Sequence, residues 1–151
     1  MKKVLLGVLG VFIMFSLVGC GEVAKKDLKP ETLTCTTSSL EDDLKMDNET
    51  TMTFLNNKMI KMTMKFSFTV EKDYENLTEE LKKGLEEQYK SYSDNGADVD
   101  VFTEGATVVA KIDMDFEKMS EEQKKKLEVN NFSGSLSDNK KDFESSGYTC
   151  K

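Results

Sequence analysis

From Met59 to Val70 the chain alternates almost without a break, and no other segment constrains the fold as tightly. Ile60, Met62, Met64, Phe66, Phe68 and Val70 fall on one side, and Lys61, Thr63, Lys65, Ser67 and Thr69 on the other. A period of two over such a stretch demands a β-strand with one dry face and one wet face. That strand belongs in a sheet whose apolar side is covered by other elements and whose polar side is left open.

The neighbouring segments supply partners for it. Thr32 to Thr37 is short, alternating and rich in β-branched residues, and is predicted as a first strand. Ser38 to Asn48 is predicted as a loop. Asn48 to Leu55 then forms a hairpin with Met59 to Val70 across Asn56-Asn57-Lys58. Parity selects that three-residue connection, because it sets Phe54 against Ile60 and Met52 against Met62, core to core. Farther on, Ala97, Val99 and Val101 alternate with Asp98, Asp100 and Phe102, and Ala106 to Phe116 alternates likewise. A two-residue turn at Glu104-Gly105 pairs Val101 with Val108 and Val99 with Ala110. It also sets Asp98 opposite Lys111.

Between the hairpins the period changes. Tyr74, Leu77, Leu81, Leu85, Tyr89 and Tyr92 recur at helical spacing from Lys72 to about Ser93, with Asp73 as N-cap and Asn95-Gly96 as the stop. Ser120 with Gln123 forms a capping box for a short helix through Leu127. Ser137 or Asp138 opens another through Phe143, Gly147 ends it, and Tyr148-Thr149-Cys150 is an extended tail. The predicted fold class is α+β: an antiparallel sheet of about five strands in hairpins, one face covered by a long amphipathic helix and shorter C-terminal helices.

Ahead of this domain (residues 31–151) lies a leader. Lys2 and Lys3 precede an apolar run from Val4 to Leu17. As a helix it would be about 21 Å long, short of the roughly 30 Å hydrocarbon core but suited to a signal peptide. Leu17-Val18-Gly19-Cys20 looks like a lipobox. The expectation is cleavage after residue 19, lipid on the Cys20 thiol, and a polar tether over residues 20–30. Each buried methylene contributes about 0.8 kcal/mol, so two or three acyl chains hold such a protein to a membrane almost permanently.

Composition narrows the function classes. The chain has 21 basic and 28 acidic residues, no arginine and no histidine. Without Lys2 and Lys3 the balance is 19 against 28, a net charge of about −9. Such a body is repelled by polyphosphate and anionic headgroups, so nucleic acid is not an expected partner. Without histidine, hydrolysis would need a Ser–Lys or two-carboxylate arrangement, and no motif places one. No cofactor is implied. The Ser/Gly-rich stretch Asn131 to Ser137 lacks the spacing of a phosphate loop.

Two clusters invite a metal reading. Asp98, Asp100, Asp113 and Asp115 share the outward face of the second hairpin, and clustered oxygens suit a hard cation. A flat strand face cannot easily supply six ligands, so charge that keeps an open sheet hydrated is the preferred reading. Met52, Met59, Met62, Met64 and Met114, with Met46 and Met119 nearby, could offer soft ligands, but most fall on core faces. Cys35 and Cys150 are read as a structural disulfide in an exported protein, and nothing like Cys-x-x-Cys argues for redox chemistry.

The lipobox start, the paired hairpins around one long helix, Tyr89-Lys90-Ser91-Tyr92, Lys111-Ile112-Asp113-Met114-Asp115 and the Phe143 to Lys151 ending together resemble the YehR-like family of small bacterial lipoproteins. The resemblance implies an α+β lipoprotein of unassigned function with no catalytic residues to carry over; Cys35 and Cys150 are not part of its pattern. The expected role is a non-enzymatic binding or accessory protein of the cell envelope, anchored through Cys20 on the extracytoplasmic side. The alternatives are an interaction protein that pairs with an envelope partner through a sheet edge and, behind it, a hydrolase or redox enzyme.

Overall fold

The structure is a computed structural model that describes residues 29–41, 44–70, 77–128 and 134–151. The leader, the Leu17–Cys20 motif, most of the tether and the Asp73 cap lie outside the described residues. The elements run β1 (Glu31–Glu41), β2 (Leu44–Leu55), β3 (Lys58–Val70), α1 (Leu77–Asp94), β4 (Asp98–Glu104), β5 (Thr107–Asp115), α2 (Glu121–Lys126), α3 (Leu136–Ser145) and β6 (Thr149–Cys150). The strands form one sheet in the order β4-β5-β3-β2-β1-β6, and every pairing is antiparallel.

The alternation of β3 sets the layering. Its dry face and those of its neighbours bury Leu33, Met52, Phe54, Met62, Ile112 and Met114 against α2 and α3, joined by Met119, Leu127 and Phe143. Under α1 a second group forms from Leu85, Val108 and Ala110, with Phe66 stacked on Tyr89 at 5.6 Å between ring centroids. Leu77, expected on the buried stripe of α1, is instead 45% exposed because it sits at the helix's first turn, where Thr78 is the buried residue. Of the six methionines in the strands, Met52, Met59, Met62 and Met114 are buried in the core, while Met46 and Met64 are partly buried.

The first hairpin meets the parity problem in a different way from the expected three-residue loop. Asn56 and Asn57 form a two-residue turn with φ of 55° and 59°, left-handed values that asparagine tolerates and that type I′ turns require. Phe54 therefore faces Met59 rather than Ile60. A register shift at Thr53/Phe54 then inserts Ile60 as an extra residue, and Met52 faces Met62 as expected. The bulge lets a tight turn coexist with a core-to-core register.

The second hairpin turns at Gly105-Ala106, with Gly105 at φ 61°, instead of Glu104-Gly105. The register moves by two residues, so the faces are as expected but the partners are not. Val101 lies opposite Ala110, Val99 opposite Ile112, Asp100 opposite Lys111 and Asp98 opposite Asp113. Within the expected loop over Ser38 to Asn48, residues 38–41 and 44–48 are strand, with β1 and β2 in register out to Glu41 and Leu44. Its polar residues gave no alternating signal because this end of the hairpin is largely unburied. Ser135, not Ser137 or Asp138, caps α3; Asp138 answers it as the third residue of a capping box. The Ser120–Gln123 box of α2 forms as expected.

The sixth strand is the extended C-terminal tail. Cys150 lies opposite Cys35, their Cα atoms 4.1 Å apart, and the two are joined by a disulfide spanning 115 residues. Thr34 and Lys151 exchange both backbone hydrogen bonds beside it, at 2.9 and 3.0 Å. Loop-closure entropy assigns such a bridge about 4–5 kcal/mol. Replacing Cys35 and Cys150 together by alanine should lower the unfolding free energy by about 3–5 kcal/mol in urea denaturation; an unchanged midpoint would contradict a stabilising bridge. Gly96 closes α1 at φ 90°, and a Cβ there would stand 2.6 Å from the Gln123 side-chain nitrogen, which belongs to the α2 capping box. Gly96→Ala is expected to cost about 1–3 kcal/mol, read as a drop in thermal midpoint.

Candidate functional site

With three helices on one face, the sheet's opposite face is the largest ordered polar surface among the described residues. Side chains that face each other across strands form rows there. One row runs Thr34, Thr51, Thr63, Asp113, Asp98, and the next Thr36, Glu49, Lys65, Lys111, Asp100. A third runs Ser38, Asp47, Ser67, Val109, Phe102. Hydroxyl contacts run across the strands between directly opposed residues, with Thr34 and Thr51 at 3.2 Å and Thr69 and Thr107 at 2.9 Å.

Three of the four aspartates of the second hairpin, Asp98, Asp100 and Asp113, gather around a cation already in the chain, Lys111. The Lys111 Nζ donates to Asp113 Oδ2, and the Thr63 hydroxyl donates to Asp113 Oδ1. The Asp113 hydrogen bond, and the nearby charges of Asp98 and Asp100, hold the Lys111 ammonium above its ordinary pKa. Burial pushes the Asp113 carboxyl up, yet the bonds from Lys111 and Thr63 together outweigh it and leave the group below the usual carboxylate range. Asp115 is lowered chiefly by its hydrogen bond to Lys118, at 3.1 Å, with Lys61 at 3.9 Å on its other side. Among the described residues no three acidic or sulfur groups converge as metal ligands. The geometry is that of a sheet face whose carboxylates are in part paired with lysines.

Open depressions mark the surface of the described residues. One, about 560 Å³, opens where β6 leaves β1 and is lined by Ser38, Asp47, Glu49, Lys65 and Thr149 among others. Its carboxylate Asp47 is held below its ordinary pKa by hydrogen bonds from Lys45 and Ser38. A second, about 420 Å³, lies by Asp98, Asp113, Asp115 and Lys118, and a third, about 530 Å³, beside Met59, Phe116 and Lys124. None assembles a nucleophile, a base and an oxyanion donor around one point.

Sequence reasoning located the acidic row but missed the partner of Lys111: it set the lysine opposite Asp98, whereas Asp100 stands there and the lysine's hydrogen bond goes to Asp113, two residues along the same strand. It also missed the free margin of β1 at Ser38 to Glu41. The available signal there was negative: Thr36, Ser38 and Leu40 put no charge on the open face.

No family model and no curated protein matches the sequence. Two solved structures do match the fold. The NMR structure of the E. coli YehR protein aligns with a TM-score of 0.57 at 13% identity, over 82% of this chain and 92% of that one. An NMR structure of a protein from Streptococcus pneumoniae TIGR4 aligns with a TM-score of 0.56 at 15% identity, over 83% and 87%. The chain has the YehR-like fold that the sequence resemblance implied, and at these identities the likeness concerns the fold alone.

The depressed Asp113 pKa has a consequence for stability. Its ionic contacts contribute fully above the unfolded carboxylate value of about 3.9 and are lost as the pH falls through the lower folded value. Both Asp113 and Lys111 are more than a third exposed, so screening keeps the contribution small. Asp113→Asn should therefore lower the denaturation midpoint slightly at pH 7 and flatten its decline below about pH 4. A variant with the wild-type acid limb would show that Asp113 is not coupled to folding.

Proposed function

We propose that this protein is a lipoprotein held at the extracytoplasmic side of a membrane through Cys20, where its domain acts as a non-enzymatic binding or accessory protein of the cell envelope. The observation that carries this reading is Leu17-Val18-Gly19-Cys20 at the end of a short apolar run that begins behind two lysines. The anchor is assigned to lipid. Among the described residues no helix is long and apolar enough to cross a membrane. A disulfide between Cys35 and Cys150 is consistent with an oxidising compartment. The non-enzymatic part is supported by an open sheet face on which Asp113 is already bonded to Lys111 and by the lack of histidine. Membrane and soluble fractions of cells making the Cys20→Ser variant test the anchor. The variant should move to the soluble or secreted fraction; full retention in membranes would refute lipidation at Cys20.

A second reading, an interaction protein that pairs with an envelope partner through a sheet edge, is favoured by one specific observation. β6 pairs with β1 around Thr34 to Thr36, and among the described residues nothing pairs with the remaining margin of β1 out to Glu41.

A further inference from the structure

The phase of β1 is fixed by its C-terminal neighbour. Thr34 turns both its N–H and its C=O toward Lys151. In an antiparallel strand these groups alternate sides residue by residue, so Thr36, Ser38 and Leu40 also face outward, while Cys35, Thr37 and Ser39 face β2. β6 takes Thr34 and Thr36 and then leaves at Tyr148 and Gly147, the latter at φ 87°. Among the described residues, no backbone partner lies across from Ser38 or Leu40. Four backbone groups thus stand at an open margin, on residues that are all exposed.

The sheet's other margin is the useful contrast. β4 carries Asp98, Asp100 and Glu104 on the open face, the charge by which natural sheets discourage added strands. β1 has no such guard beside its free groups. Leu40 is there instead, and at 73% it is the more exposed of the two large exposed hydrophobics among the described residues. The groove of about 560 Å³ begins at the same fork, and its carboxylates Asp47 and Glu49 stand on β2, across from Ser38 and Thr36. The chain as a whole carries a net charge of −7. A cationic segment is drawn to such a surface and an anionic one repelled.

We propose that the β1 margin at Ser38 to Glu41 is a strand-addition site for an extended, basic segment of a partner protein. The added strand bonds to the backbone of Ser38 and Leu40. Its open-face side chains place an apolar residue beside Leu40 and a lysine or arginine beside Ser38, within reach of the groove carboxylates. This rests on the edge-pairing reading above and deepens it by naming the edge, the register and the charge of the partner.

The test uses backbone-amide NMR of the full chain in detergent micelles, titrated with a capped peptide Thr-Thr-Leu-Thr-Lys-Thr-Lys. A peptide with both lysines replaced by glutamate is the control. The expected result is shift changes and exchange protection centred on Ser38 and Leu40, with at least tenfold weaker binding of the glutamate peptide. Leu40→Pro removes an N–H that faces only the open margin, so it should abolish binding while sparing the β1–β2 ladder. Leu40→Lys gives β1 an edge charge of the partner's own sign and should weaken binding at least tenfold without touching the backbone. Equal binding by wild type and Leu40→Lys would overturn the site, as would equal binding of the two peptides or no shift at the β1 margin. Shifts confined to β4 would overturn this assignment yet leave partner pairing through an edge standing, so the two failures are distinguishable. Membrane retention through Cys20 is read separately from either.

Discussion

The structure depends on the two-sidedness of one sheet. Once β3 commits Met62 and Phe66 to one side and Lys61, Thr63 and Lys65 to the other, every strand beside it must keep the same parity. The helices can then cover only one face. Both hairpins serve this constraint. The bulge at Ile60 absorbs the residue that a tight Asn56-Asn57 turn would otherwise misplace. The second hairpin needs no bulge, because a two-residue turn at Gly105-Ala106 keeps the apolar residues of β4 and β5 on one face.

Parity also decides what the open face can do. With threonines, lysines and carboxylates in rows, some of its carboxylates are paired with nearby lysines, Asp113 with Lys111 of the same strand and Asp115 with Lys118 just beyond it. A face of this kind stays hydrated. The margins are where the sheet is asymmetric. One ends in a strand bearing three carboxylates, and the other in a strand that is clasped near its middle by β6 and the Cys35–Cys150 bridge and then continues bare. The disulfide therefore has two consequences: it fixes the C-terminal tail in the core, and it sets where the uncovered part of β1 begins.

Much of this was legible in the residues. The α+β class, the core parity of β3 and β5, the α2 capping box and the pairing of Cys35 with Cys150 all follow from local patterns that burial enforces. What escaped were features with no burial signature. Ser38 to Asn48 reads as loop because an unburied strand has no apolar alternation to announce it, and only cross-strand hydrogen bonds reveal it. The neighbours of Asp98 and Asp100 depended on whether the turn began at Glu104 or Gly105, a choice that both apolar parities allow. The sixth strand is two residues long, too short for any periodicity, and exists as a strand because its cysteine is tied to β1.

The central claim is that the sheet is closed on its helix face and bare along part of β1. Native-state hydrogen exchange resolved to single amides tests it most directly. In β1 the amides of Thr37 and Ser39, bonded toward β2, should be protected, while those of Ser38 and Leu40 exchange at rates near those of an open chain. Equal protection of all four amides would mean that the margin is already covered and would contradict the account.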